Sequence, residues 1–163
     1  MVGLPKLDRI DINILAQLQQ NGRLSNVDLA ELVGLSPSPC LSRVRRLEEA
    51  GYIVSYNARL HLSKLVEHIT VFTQVTLNDH KREDFIKFEA NIRKYETLQE
   101  CHLVSGGYDY LLKFLTKNVA LYQEIMESIL SRNIGVEKYF SYIVIKTIFD
   151  RGPIPLKSLI NDS

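Results

Sequence analysis

Leu24–Gly51 reads LSNVDLAELVGLSPSPCLSRVRRLEEAG, and its punctuation predicts two helices around a short turn. Ser25 is an N-cap candidate, Val27, Leu29, Ala30, Leu32 and Val33 supply apolar positions, and Gly34 ends the first segment. Ser36 caps the next, with Pro37 at its first position and Pro39 still inside the first turn, where amides lack intrahelical acceptors. Cys40, Val44 and Leu47 form its inner seam with Leu41 beside it, leaving Ser38, Ser42, Arg43, Arg45 and Arg46 outside until Gly51 stops the helix. Two short helices joined by a glycine-containing turn form a helix-turn-helix, whose second helix is shaped for the DNA major groove.

Upstream, Ile10, Ile14, Leu15 and Leu18 line one face of a helix that Asp8 caps, with Asp11 three residues later and Asn21-Gly22 as the stop. Downstream, Tyr52–Leu60 reads as one or two short strands, a small wing or a connector. Met1–Leu62 holds seven Lys/Arg against six Asp/Glu, so the basic footprint is local to the arginine cluster. One such module would bind DNA weakly, and at least a dimer is expected.

The whole chain is as near neutral as that segment, with net charge +1 over 163 residues, and 45% of it is hydrophobic. That describes an ordinary globular protein of one or two domains. No apolar run is long enough for a membrane span, and Met1–Lys6 lacks the apolar core and cleavage site of a signal peptide. Cys40 and Cys101 lie in separate segments, so a reducing, cytoplasmic setting is expected. Cys101 and His102 are consecutive on a strand and face opposite ways, and His61, His68 and His80 lack partners at ligand spacing, so no metal is expected.

From His68 the periodicity changes. His68–Leu77, Leu98–Ser105, Tyr110–Thr116 and Val136–Phe149 read as strands, Arg82–Tyr95 and Val119–Ser131 as helices, and Gly106-Gly107-Tyr108-Asp109 as a turn. The order β-α-β-β-α-β is a ferredoxin-like sandwich with both helices on one sheet face. The fold expected is therefore α+β: a winged helix-turn-helix of three helices over residues 1–62, then a ferredoxin-like βαββαβ domain over 63–163. The uncovered sheet face, with an apolar last strand around Tyr139–Ile145, predicts a dimer interface.

Leu7-Asp8-Arg9-Ile10-Asp11, Gly34-Leu35-Ser36-Pro37 with Cys40, Arg43–Glu48, Glu100–Gly106 and Asp109–Lys113 together resemble the Lrp/AsnC family over about Leu7 to Lys146. The resemblance implies a transcription regulator whose dimers assemble further, often to octamers. It also implies a free amino acid held between dimers that alters assembly or DNA affinity.

The DNA-contact candidates are Ser25, Asn26, Ser36, Ser38, Ser42, Arg43, Arg45 and Arg46. Arginine can bond guanine edges or phosphate, small serines allow close approach, and amides at a helix start suit phosphate. At Gly106, Gly107, Tyr108 and Asp109 a hairpin turn alone would explain both glycines. The resemblance adds an effector role there, with exposed amides for a carboxylate and Asp109 for an ammonium. It also brings Leu103, Ser131, Tyr139 and Ser141 as further contacts from neighbouring elements and subunits. Where the family often has Thr-x-Thr on the last strand, this chain has Tyr139-Phe140-Ser141, which favours an apolar effector, leucine or methionine. No catalytic residues or cofactor are expected, since no nucleophile–base pairing or phosphate-binding loop is present. The alternatives are an architectural DNA-compacting protein without effector and, further off, a small amino-acid enzyme.

Overall fold

Asp8 sets the start of the first helix. In the computed structural model of the chain, which describes residues 6–161, its carboxylate accepts the backbone N–H of Ile10 at 2.9 Å and of Asp11 at 2.8 Å. Asp11 returns the bond by accepting the Asp8 N–H at 3.0 Å, which completes a capping box. The signal-peptide reading of Met1–Pro5 lies outside the described residues. Helix α1 (Arg9–Gln20) is followed by α2 (Asn26–Val33), where Ser25 accepts the Asp28 N–H, and by α3 (Pro37–Glu49). Gly34 turns the chain between them at φ +72°, a left-handed conformation that glycine adopts without steric cost. Ser36 sits at the N-cap of α3 but makes no side-chain cap bond, so the expected hydroxyl cap is not formed and Pro37 begins the helix.

Ile14, Leu29, Ala30, Cys40 and Leu47 form the buried centre of this three-helix unit, and Val44 and Val33 pack against it. Val27 and Leu32 are exposed, because a two-turn helix such as α2 can turn only one stripe inward. Tyr52–Leu60 forms no strand with any described residue, so within one chain it is the connector.

The second unit is a four-stranded antiparallel sheet in the order β2-β3-β1-β4, built from β1 (Ile69–Leu77), β2 (Leu98–Leu103), β3 (Tyr110–Thr116) and β4 (Val136–Ile143). Helices α4 (Arg82–Ile92) and α5 (Val119–Ser131) cover one face. Alternation decides which residues they cover. Val71, Val75 and Leu77 of β1 and Tyr110, Leu112 and Phe114 of β3 are buried with Phe88 and Ile92 of α4 and Tyr122, Met126 and Ile129 of α5. Thr73 lies in the same row fully buried, and its hydroxyl is bonded to that of Tyr122 at 2.8 Å. Cross-strand pairing puts Phe72, Leu111, Phe140 and Tyr142 together on the other face, where no helix of this unit covers them.

Four boundaries move, the first being the start of β1 at Ile69 rather than His68. Strand β2 ends at Leu103, α4 at Ile92 and β4 at Ile143, short of the expected Ser105, Tyr95 and Phe149. The chain divides into two compact units, one holding the residues up to Arg59 together with those from Phe149 onward, the other Leu60–Ile148. The C-terminal stretch, expected in the second domain, thus joins the first. Gln19 clamps the Ile154 backbone through both amide atoms, at 2.9 and 3.1 Å, and a sixth helix, α6 (Leu156–Asn161), lies against α1.

Candidate nucleic-acid interface and ligand loop

Helix α3 has two faces of different chemistry. Ser38, Leu41, Ser42, Arg45 and Glu49 recur at helical spacing along its outer surface, with the half-exposed Arg46 at its edge. Ser38, Ser42 and Arg45 are exposed and make no side-chain hydrogen bond among the described residues. The other two arginines are committed. Arg43 donates to Asp8 at 2.6 Å and to Asp11 at 2.8 Å, and Arg46 donates to Asp11 at 2.6 Å. Asp11 is fully buried, so both of its oxygens depend on these partners and on the Asp8 N–H. Breaking one side of a buried ion pair costs about 3–5 kcal/mol, because a charge stays behind without compensation. The backbone N–H of Asp11, then Arg43, hold the Asp8 carboxyl down at about 2, and Asp8 and then Asp11 raise the Arg43 guanidinium further.

Around the turn, Ser25 spends its hydroxyl on Asp28, accepting the backbone N–H and donating to the carboxylate at 2.6 Å. Asn26 donates from its side chain to the Pro37 carbonyl at 2.7 Å, tying the start of α2 to the start of α3. Its own carbonyl oxygen is buried without a partner among the described residues. Tyr56 donates to Glu48 at 2.9 Å, and burial followed by that bond pushes its phenol up to about 12. Glu48 is therefore engaged with the connector.

In the second unit, the ligand-loop candidates close the β2–β3 hairpin. The Val104 N–H donates to the Asp109 carbonyl and the Asp109 N–H to the Val75 carbonyl, both at 2.9 Å. Gly106 sits at φ +146°, in the region that favours glycine. Gly107 has a negative φ, so the turn does not explain both glycines as expected. A side chain at either would meet open space. The Asp109 carboxylate accepts the Leu77 N–H at 2.8 Å and lies 3.0 Å from the His80 ring, so part of its capacity is already used. His80 gave no signal in sequence because it stands 29 residues from its partner.

Leu103, Tyr110, Val75 and Tyr139 share one register row across the sheet. Leu103 and Tyr139 stand at its opposite edges, about 14 Å apart at three inter-strand spacings. One chain therefore does not bring them together around a small molecule. The Ser141 hydroxyl bonds Tyr122, and the Ser131 hydroxyl donates to the Ser128 carbonyl at the end of α5. Cys101 pairs in register with inward-facing Leu112, and His102 with outward-facing Leu111, next to Glu100.

Comparison with known proteins places these two units. Residues 7–54 match the winged helix-turn-helix DNA-binding family and residues 70–154 the Lrp/AsnC ligand binding domain. The leucine-responsive regulatory protein of Salmonella typhimurium is 44% identical over 152 residues, 93% of both chains, and that of Escherichia coli K12 is 43% identical over the same share. Among solved structures, a transcriptional regulator from Neisseria meningitidis in complex with L-methionine superposes with TM-score 0.86 at 35% identity, over 95% of this chain and all of that one. An AsnC family regulator from Agrobacterium tumefaciens gives 0.86 at 29% identity, over 94% and 100%. These relatives are regulators rather than enzymes, and the chain belongs to the Lrp/AsnC family of DNA-binding transcription regulators, joining a winged helix-turn-helix to that family's ligand-binding domain.

Proposed function

We propose that this chain works in the cytoplasm as a dimer, assembling further toward an octamer, that presents paired α3 helices to duplex DNA. We also propose that free leucine or methionine held between dimers sets its assembly or DNA affinity. The observation carrying the DNA half is the outer face of α3. Ser38, Ser42 and Arg45 are exposed there without partners among the described residues, and small side chains beside an arginine suit groove entry. The starts of α2 and α3, at Ser25, Asn26 and Ser36, add backbone amides for phosphate.

Pairing through the sheet is supported by the uncovered face of Phe72, Leu111, Phe140 and Tyr142, on which Phe140 and Tyr142 are more than half exposed. An effector site between dimers fits the register row: a second copy brings a Tyr139 edge to a Leu103 edge, with Gly106, Gly107, Tyr108 and Asp109 alongside and Ser131 from α5 and Ser141 from β4 as further contacts. The leucine-responsive relatives and the L-methionine complex support an apolar amino acid. With Asp109 already bonded to Leu77 and His80, its proposed hold on the ammonium is a shared bond.

Footprinting tests this reading on duplexes that the purified protein enriches from a random-sequence pool. Two α3 helices on one duplex should protect half-sites separated by one helical turn, about 10–10.5 base pairs, or a multiple of it. Continuous protection without that phasing would indicate DNA compaction instead, and no enrichment would remove the proposal.

A further inference from the structure

Asp11 is buried on α1, yet it holds two of the three arginines of α3. Its Oδ1 accepts from Arg43 at 2.8 Å, and its Oδ2 accepts from Arg46 at 2.6 Å and from the Asp8 N–H at 3.0 Å. All of this happens at a carboxylate with no solvent exposure. For Arg43 or Arg46 to swing out to a phosphate, that buried charge would have to lose a partner. An exposed arginine–phosphate contact, screened by salt, returns less than the loss.

The charge balance agrees. Asp8 and Asp11 neutralise Arg43 and Arg46, which leaves Arg45 as the cation of α3 without an ion pair among the described residues. The geometry of α3 agrees as well. With Ser36 making no cap bond, the contacts among the described residues that fix this helix about its own axis are its apolar seam, the Asn26–Pro37 bond, the Tyr56–Glu48 bond and this carboxylate clamp.

We propose that Asp11 is a positioning residue for DNA recognition: it keeps Arg43 and Arg46 off the phosphates and uses them to set the roll of α3 on α1. Arg45, on the same face as Ser38 and Ser42, then makes the contact with DNA. The assignment rests on the DNA-binding reading above and revises which arginines carry it. A rotation of α3 by a fraction of a turn would move Arg45 sideways across the groove, so losing the clamp should blur sequence discrimination before it weakens general attraction to DNA.

The test is fluorescence anisotropy of the full chain, across a salt series, on a duplex enriched by the wild-type protein and on its scrambled counterpart. Each phosphate neutralised contributes about 0.9 to the slope of log affinity against log salt. Arg45→Gln should therefore flatten the slope by about 0.9 for every DNA-engaged subunit. Arg46→Gln should leave the slope unchanged and lower discrimination between the two duplexes about tenfold. Asp11 keeps Arg43 and the Asp8 N–H in that variant, so the fold is retained. Asp11→Asn should release both arginines, steepening the slope on the scrambled duplex while discrimination falls.

If Arg46→Gln flattens the slope as much as Arg45→Gln, the assignment is overturned while the DNA-binding reading stands. The same holds if Arg46→Gln leaves discrimination intact. If the wild-type protein binds neither duplex, both fall together. Should Asp11→Asn not fold, the contrast between the Arg45 and Arg46 variants decides alone.

Discussion

Arg43→Ala is expected to destabilise the helix-turn-helix unit by about 3 kcal/mol, the lower end of the cost of stranding a buried charge. The substitution removes the only partner of one Asp11 oxygen among the described residues, and the arginine that bridges to Asp8. The other oxygen keeps Arg46 and the Asp8 N–H, which holds the effect to that lower end. In a unit of this size each kcal/mol shifts the midpoint by about 4–8 °C, so calorimetry should show its transition lowered by about 12 °C or more. Arg45→Ala, on the solvent side of the same helix, should move it by less than about 0.5 kcal/mol. The cluster also sets an acid limb. Asp8 titrates at about 2 when folded against an ordinary 3.8, so its contribution is complete above that ordinary value and is lost as pH falls toward 2. An Arg43→Ala protein that melts like the wild type would show that the clamp bears no stability.

The second large effect is expected at Phe88→Ala. Phe88 has no solvent exposure, and its ring centroid lies 4.5 Å from that of Tyr110, which in turn donates to Glu89 at 2.9 Å. Emptying that position removes the contact that seats α4 on β3, at a cost of about 3–5 kcal/mol. Tyr110 directly follows the Gly106–Asp109 loop, so the cavity opens beneath the proposed effector site. Urea titration should show the second unit unfolding early. Light scattering should show the larger assemblies lost, and duplex affinity should fall with them because paired heads are no longer held together. Phe88→Leu, which keeps most of the volume, should cost less than about 1.5 kcal/mol. Equal stability of the alanine variant would place the core elsewhere.

Periodicity and caps made most of the fold legible. Helix α5 falls on Val119–Ser131 as read, because the Tyr122, Ile125, Met126 and Ile129 stripe is unambiguous and Asn118 accepts the Leu121 N–H at its start. The β1 alternation likewise separated Val71, Thr73 and Val75 from Phe72 and Gln74. What escaped depends on partners distant in sequence. Val144–Phe149 has strand composition, yet β4 ends at Ile143, with one last backbone bond from the Val144 N–H to the Thr70 carbonyl of β1, and the tail turns to Gln19 instead. The clamp joins residues 32 and 35 positions apart. Its one local trace was the shared spacing: Asp8 and Asp11, like Arg43 and Arg46, are three residues apart. Both pairs were visible separately, as a cap and as a DNA-facing cluster, and only tertiary packing turns them toward each other. The Leu103–Tyr139 separation was equally hidden, since it follows from the strand order rather than from either strand.

The two units are coupled by linkage: an amino acid changes DNA binding only by favouring one state of the assembly over another. The decisive measurement is the affinity of the full-length protein for its enriched duplex, with and without saturating leucine or methionine. A shift of about 5- to 150-fold with one of these, and none with a charged amino acid, is the predicted result. An affinity that no amino acid moves would contradict the claim.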